Sequence, residues 1–161
     1  MAYNVGTLPI EASDVVNQVV FPVYTKIAAD RKRLLRAFLK TSSVLLAGTG
    51  LLSLLIIIYT EPIIKIFLGN QWLAIIPVVK LIAIYGVLRA VFGSASALFL
   101  SVEKQNYVTV MTFFRVAGLF ATIVPLVTAY GLIGASYSAI LSVLFEIPII
   151  LFLVWKVFRG R

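Results

Sequence analysis

A chain of 161 residues that is 61% hydrophobic and only 12% charged, with a mean hydropathy of +1.07, has too little polar surface to cover a water-soluble globule. The lack of cysteine and histidine excludes disulfides, thiol nucleophiles, imidazole-based triads and the usual zinc sites. What remains is an all-α membrane protein, whose net charge of +8 is read as topology and affinity for anionic headgroups, with no nucleic acid partner.

Five transmembrane helices are predicted in a single membrane domain over 1–161, with spans at about 3–24, 42–59, 73–101, 107–128 and 132–155. The opening MAYNVGTLPIEASD has neither a basic region nor a small-residue cleavage site, so no signal peptide is expected. The first span, Tyr3 to Tyr24, contains Pro9, Glu11, Asp14, Asn17, Gln18 and Pro22. On a helix, Glu11, Asp14 and Gln18 share a face, which is predicted to look into a protein interior or a wet cavity.

The stretch from Phe21 to Lys40 holds six of the fourteen basic residues: Lys26, Arg31, Lys32, Arg33, Arg36 and Lys40. It is read as a basic cytoplasmic loop over 25–41, since Lys and Arg beside spans are retained on the cytoplasmic side. Within it, AADRKRLLRAFLK suits an amphipathic helix lying on anionic lipid, with Asp30 as N-cap.

Ser42 to Tyr59 is free of charge, and Gly48 and Gly50 are expected to let a neighbouring helix approach closely. Glu61, Pro62 and Lys65 follow, then a turn at Gly69, Asn70, Gln71 and Trp72, the tryptophan serving as an interfacial anchor. The third span starts with Pro77 and carries Lys80 and Arg89; the break Glu103 to Asn106 leads into the fourth, which carries Arg115. Tyr130 and Gly131 make a tight turn before the last span, where Gly134, Ala135, Ser138 and Ser142 offer a small-residue stripe ahead of Glu146. Counting crossings from the basic loop places the N-terminus outside and the C-terminus in the cytoplasm of a multi-pass inner-membrane protein. Lys104, Lys156, Arg159 and Arg161 then join the six loop residues on the cytoplasmic side.

Six ionisable residues fall inside spans: Glu11, Asp14, Lys80, Arg89, Arg115 and Glu146. Each costs at least about 2.5 kcal/mol at mid-bilayer, so each is expected to face a cavity or a partner. Counting from the helix ends puts Asp14, Arg89, Arg115 and Glu146 at nearly one depth. Two readings stay open: ion pairs that hold helices together, or a cationic cavity for an anionic headgroup, since Arg serves carboxylate and phosphate alike. Lys80 sits nearer the surface, where it can snorkel outward. Without a phosphate-cradling Gly-rich loop or a water-facing set of catalytic groups, neither a nucleotide-driven pump nor an enzyme is expected, and no cofactor or metal.

The series VVFPVYTKIAADRKRLLRAF, EPIIKIFLGNQW, LIAIYGVLRAVFGSASALFLSVEKQN and YGLIGASYSAI resembles, in order and spacing, the C-terminal half of polysaccharide-type flippases. These belong to the multidrug, oligosaccharidyl-lipid and polysaccharide exporter superfamily. The resemblance implies two pseudo-symmetric lobes rocking about a central cationic cavity, with this chain supplying helices eight to twelve and an N-terminal lobe supplied elsewhere. It also implies transport of lipid-diphosphate-linked oligosaccharide across the bilayer. Arg89, Arg115 and Lys80 are then the expected substrate-binding cations, and Glu11, Asp14 and Glu146 the ion-coupling or pairing acids. A multidrug exporter of the same superfamily and a non-transporting scaffold are the alternatives; the intramembrane cations favour an anionic substrate over the first.

Overall fold

A computed structural model describes residues 2–67 and 69–159, which are helical nearly throughout and contain no strand. The described residues form four helical stretches, α1 (Ala2–Ile27), α2 (Arg31–Phe67), α3 (Ile76–Ser101) and α4 (Gln105–Arg159), with a 3-10 turn at Asn70–Ile75 ahead of α3. Among the described residues, three segments are long and apolar enough to cross a membrane: Arg31–Ile66, Asn70–Ser101 and Gln105–Arg159.

The expected loop over 25–41 is helical for most of its length. The break between α1 and α2 is confined to residues 28–30, and the basic residues from Arg31 to Lys40 form the first turns of α2 itself. Asp30 is the reason: its Oδ1 accepts hydrogen bonds from the backbone N–H groups of Lys32 and Arg33, both at 3.1 Å, which satisfies two donors that a helix start leaves free. Leu34, fully buried, anchors the same turn in the core, so the segment is held down in the bundle instead of lying apart on the surface. At 37 residues α2 is about 56 Å long, well beyond a hydrocarbon thickness of about 30 Å.

α3 ends in a Schellman motif. The N–H of Lys104 donates to the Phe99 carbonyl and that of Glu103 to the Leu100 carbonyl, with Glu103 at φ 59° in the left-handed region. The 3-10 turn preceding α3 starts from Gly69 at φ 88°, and Pro77 occupies the first turn of α3, where its missing N–H costs nothing.

α4 cannot be straight: 55 residues would run about 83 Å. Gly131, at φ 59° and ψ −133°, breaks the helical geometry, and the contacts on either side of it show two arms folded against each other. Arg115 meets Glu146, Phe145 lies over Gly118, and the Leu126 backbone presses on Gly134. These pairs lie nearly equidistant from Gly131, as an antiparallel hairpin requires. The small residues do the work here that was expected of Gly48 and Gly50, where an added Cβ would find nothing within 4 Å. Those two glycines face open surface.

α3 is the hub, in contact with α1, α2 and α4. Its small residues Ala83, Ala90 and Ala95 are fully buried. One apolar core gathers Tyr24, Leu34, Leu98, Phe99, Met111 and Leu153, drawing together the end of α1, the start of α2, the end of α3 and both ends of α4. Arg31 ties the same end together by donating a hydrogen bond of 2.6 Å to the Val157 carbonyl, a cation on the negative end of a helix. A second core, Ile56, Ile64, Val79 and Ala83, joins α2 to α3 towards the opposite end. Between them Ser53 donates to the Ala83 carbonyl at 3.0 Å. Buried Thr49, Thr60 and Ser138 satisfy their hydroxyls on carbonyls one turn back in their own helices.

Candidate functional site

The charged residues at mid-helix converge on one stripe of α3. Ile82, Tyr85, Arg89, Gly93, Ser96 and Leu100 follow each other at intervals of three and four residues, so they share a face. Two cavities lie end to end along it. The first, about 580 Å³, lies between α1 and the second half of α3 and is walled by Ser13, Asp14, Asn17 and Gln18 from one helix and by Arg89 and Ser96 from the other. The second, about 340 Å³, lies between the first half of α3 and the α4 hairpin; Tyr85, Arg115, Ser136 and Ser142 supply its polar wall, Val78 and Leu119 part of its apolar one.

Arg89 stands where the two cavities approach each other. Its guanidinium lies back over Gly93: a Cβ there would sit 2.5 Å from Nη1. The charges that act on it are those of Arg115, Glu146 and Asp14. Arg115 and Glu146 face each other across the hairpin, with Nη1 and Oε2 3.7 Å apart. That is close enough for Coulomb attraction and too long for a hydrogen bond. The Glu146 side chain is 1% exposed, against 20% for Arg115, and its Oε1 is buried without a partner. Asn17 Oδ1, in the wall of the first cavity, is likewise buried and unpartnered.

Of the four residues that depth counting put at one level, the structure places Asp14 and Arg89 in the wall of the first cavity and Arg115 in the wall of the second, with Glu146 buried against Arg115 and lining neither. Lys80 is apart from them. It is exposed, about 14 Å along α3 from Arg89, and acts on Glu61 near the other end of the bundle. Glu11 is exposed and lines neither cavity. Sequence reasoning passed over Tyr85, Gly93 and Ser96, although their spacing from Arg89, four back and four and seven forward, was the signal that would have found them.

These features define a class: a polytopic helical membrane protein with charged side chains in the walls of cavities along its bundle. Comparison with known proteins places it further. Residues 1–77 match the family described as Polysaccharide biosynthesis protein. The chain is 28% identical over 109 residues to the lipopolysaccharide biosynthesis protein WzxC of Escherichia coli, a match covering 66% of this chain and 22% of that protein. It is 24% identical over 107 residues to the teichuronic acid biosynthesis protein TuaB of Bacillus subtilis, covering 66% and 22%. It is also 27% identical over 140 residues to an uncharacterized membrane protein in the cps region of Klebsiella pneumoniae, covering 84% and 28%. The comparisons point the same way as the resemblance of its motifs: the chain is similar to polysaccharide biosynthesis membrane proteins. The chain spans less than a third of the length of these relatives. No solved structure matches it.

Proposed function

We propose that this chain is part of a transporter that moves a lipid-linked oligosaccharide, a polysaccharide precursor, across the cytoplasmic membrane by alternating access. The observation that carries the reading is Arg89, a cation at membrane depth in the wall of a polar groove of about 580 Å³, in a relative of polysaccharide biosynthesis proteins. An arginine offers a planar fork of donors that suits a phosphate bidentately, and a diphosphate is the part of such a substrate most costly to bring through lipid. Arg89 is the headgroup contact in this reading. Arg115 adds a second cation, and Asp14 and Glu146 balance the pair when no substrate is bound. Lys80 would meet the substrate only near the membrane surface.

In this arrangement the chain crosses the bilayer five times, with the two arms of α4 as separate crossings. The end that bears Lys26, Arg31, Arg33, Lys104, Lys156 and Arg159 is cytoplasmic by the retention of basic residues on that side. The polar face of α1, with Asp14 and Gln18 exposed, requires a covering lobe supplied by another part of the same transporter, because a carboxylate at that depth does not face lipid. The family likeness and the anionic preference of two arginines favour this reading over a drug exporter.

The test is Arg89→Glu in cells that rely on this chain for surface polysaccharide. Export is expected to be lost while the amount of chain in the membrane fraction stays at the wild-type level. Normal surface polysaccharide in that variant removes Arg89 from the site and the reading with it.

A further inference from the structure

Arg115 is paired by charge without being hydrogen-bonded. Its partner Glu146 stands at 3.7 Å, outside hydrogen-bond range, so the carboxylate supplies charge without occupying the donors of the guanidinium. Among the described residues no hydrogen bond from Arg115 is made, and the side chain borders the cavity of about 340 Å³. Behind it, Glu146 is sealed from solvent with one oxygen unpartnered. The charges that act on Glu146 are those of Arg115 on the first arm of α4 and Arg89 on α3.

We infer that Glu146 is an internal stand-in for the ligand's phosphate: it holds Arg115 while the α3/α4 cavity is empty and yields it to one phosphoryl group of the substrate, making this cavity a second anion station beyond the Arg89 groove. A phosphate there gains what Glu146 does not have, paired hydrogen bonds from the free donors of Arg115. Arg89, one turn along α3 from Tyr85 in the wall of this cavity, is a second cation, so the incoming charge and the released carboxylate are not left with one arginine between them. At about 340 Å³ the cavity lies at the small end of ligand pockets and admits a phosphoryl group with some apolar chain, while an oligosaccharide is left in the larger groove. The two cavities share one stripe of α3, so a phosphate passing from Arg89 to Arg115 moves along the helix without leaving cationic surroundings. This inference rests on the transporter reading for its choice of ligand.

Farnesyl diphosphate, a soluble prenyl diphosphate, is the probe, titrated into the purified 161-residue chain in detergent, with farnesol as the uncharged control. Removing the internal competitor in Glu146→Gln is expected to tighten binding about tenfold. The gain is expected to vanish in Arg115→Gln/Glu146→Gln and to persist in Arg89→Gln/Glu146→Gln. The first double variant also guards the test against misfolding, since it removes both partners of the pair at once. Unchanged or weakened affinity in Glu146→Gln, or a gain that survives loss of Arg115, overturns the second station and leaves the Arg89 groove standing. A gain in Glu146→Gln with no loss in Arg89→Gln overturns the groove and leaves the station. Equal binding of farnesol overturns both.

Discussion

The hairpin of α4 turns on one atom that is absent. Gly134 faces the backbone of Leu126 so closely that any Cβ would overlap its carbonyl and would lie 3.0 Å from the Val127 nitrogen. The obstacle is main chain, not a side chain that can rotate away, so Gly134→Ala must push the two arms apart. Overpacking of this kind costs about 2–3 kcal/mol. For a chain of this length that lowers the melting temperature by roughly 5–10 °C. The matched control is Gly48→Ala, where a Cβ meets nothing within 4 Å. There the gain in helix propensity of about 0.5–1 kcal/mol should leave the protein slightly more stable. Thermal unfolding of both variants in one detergent, followed by circular dichroism, separates them. If Gly134→Ala melts with the wild type, or Gly48→Ala loses as much, the antiparallel packing derived for the arms of α4 is wrong.

Arg115→Met strands the buried Glu146 carboxylate without a counter-charge and is expected to cost about 3 kcal/mol, most of which Arg115→Met/Glu146→Gln should restore; equal stabilities in a double-mutant cycle would count against the pair. Glu103→Gly, at a left-handed position in the α3 cap, should stabilise by about 0.5–1 kcal/mol, measured as a higher melting temperature. Asp30→Ala should cost about 1 kcal/mol by removing the cap of α2, whereas Asp30→Asn should keep nearly all of it; the check is the difference between the two melts.

Much of the local structure could be read directly. Asp30 sits just before a run of helix formers, and its carboxylate does what a short acidic side chain does at that position. Gly131 stands between two apolar runs and takes the positive φ that a reversal needs. A common depth for Asp14, Arg89, Arg115 and Glu146 is what rise per residue leads one to expect, because helices of similar length between the same two surfaces keep their charges in register. The basic segment is helical and capped by Asp30 as its residues suggest, but it is the start of α2 and not a separate stretch in a connecting loop, because Leu34 is buried in the bundle.

What the sequence by itself determined is the class of the protein, most of its helices and its turns, since these depend on composition and on distances along the chain. Only the tertiary structure decided that Gly118 is close-packed as Gly134 is while Gly48 and Gly50 are not, and that Arg89 and Arg115 line successive cavities on one stripe of α3. A residue's height in a helix is set by counting. The direction it faces among neighbours is set by how the helices cross and pack, and that depends on every side chain at the contact.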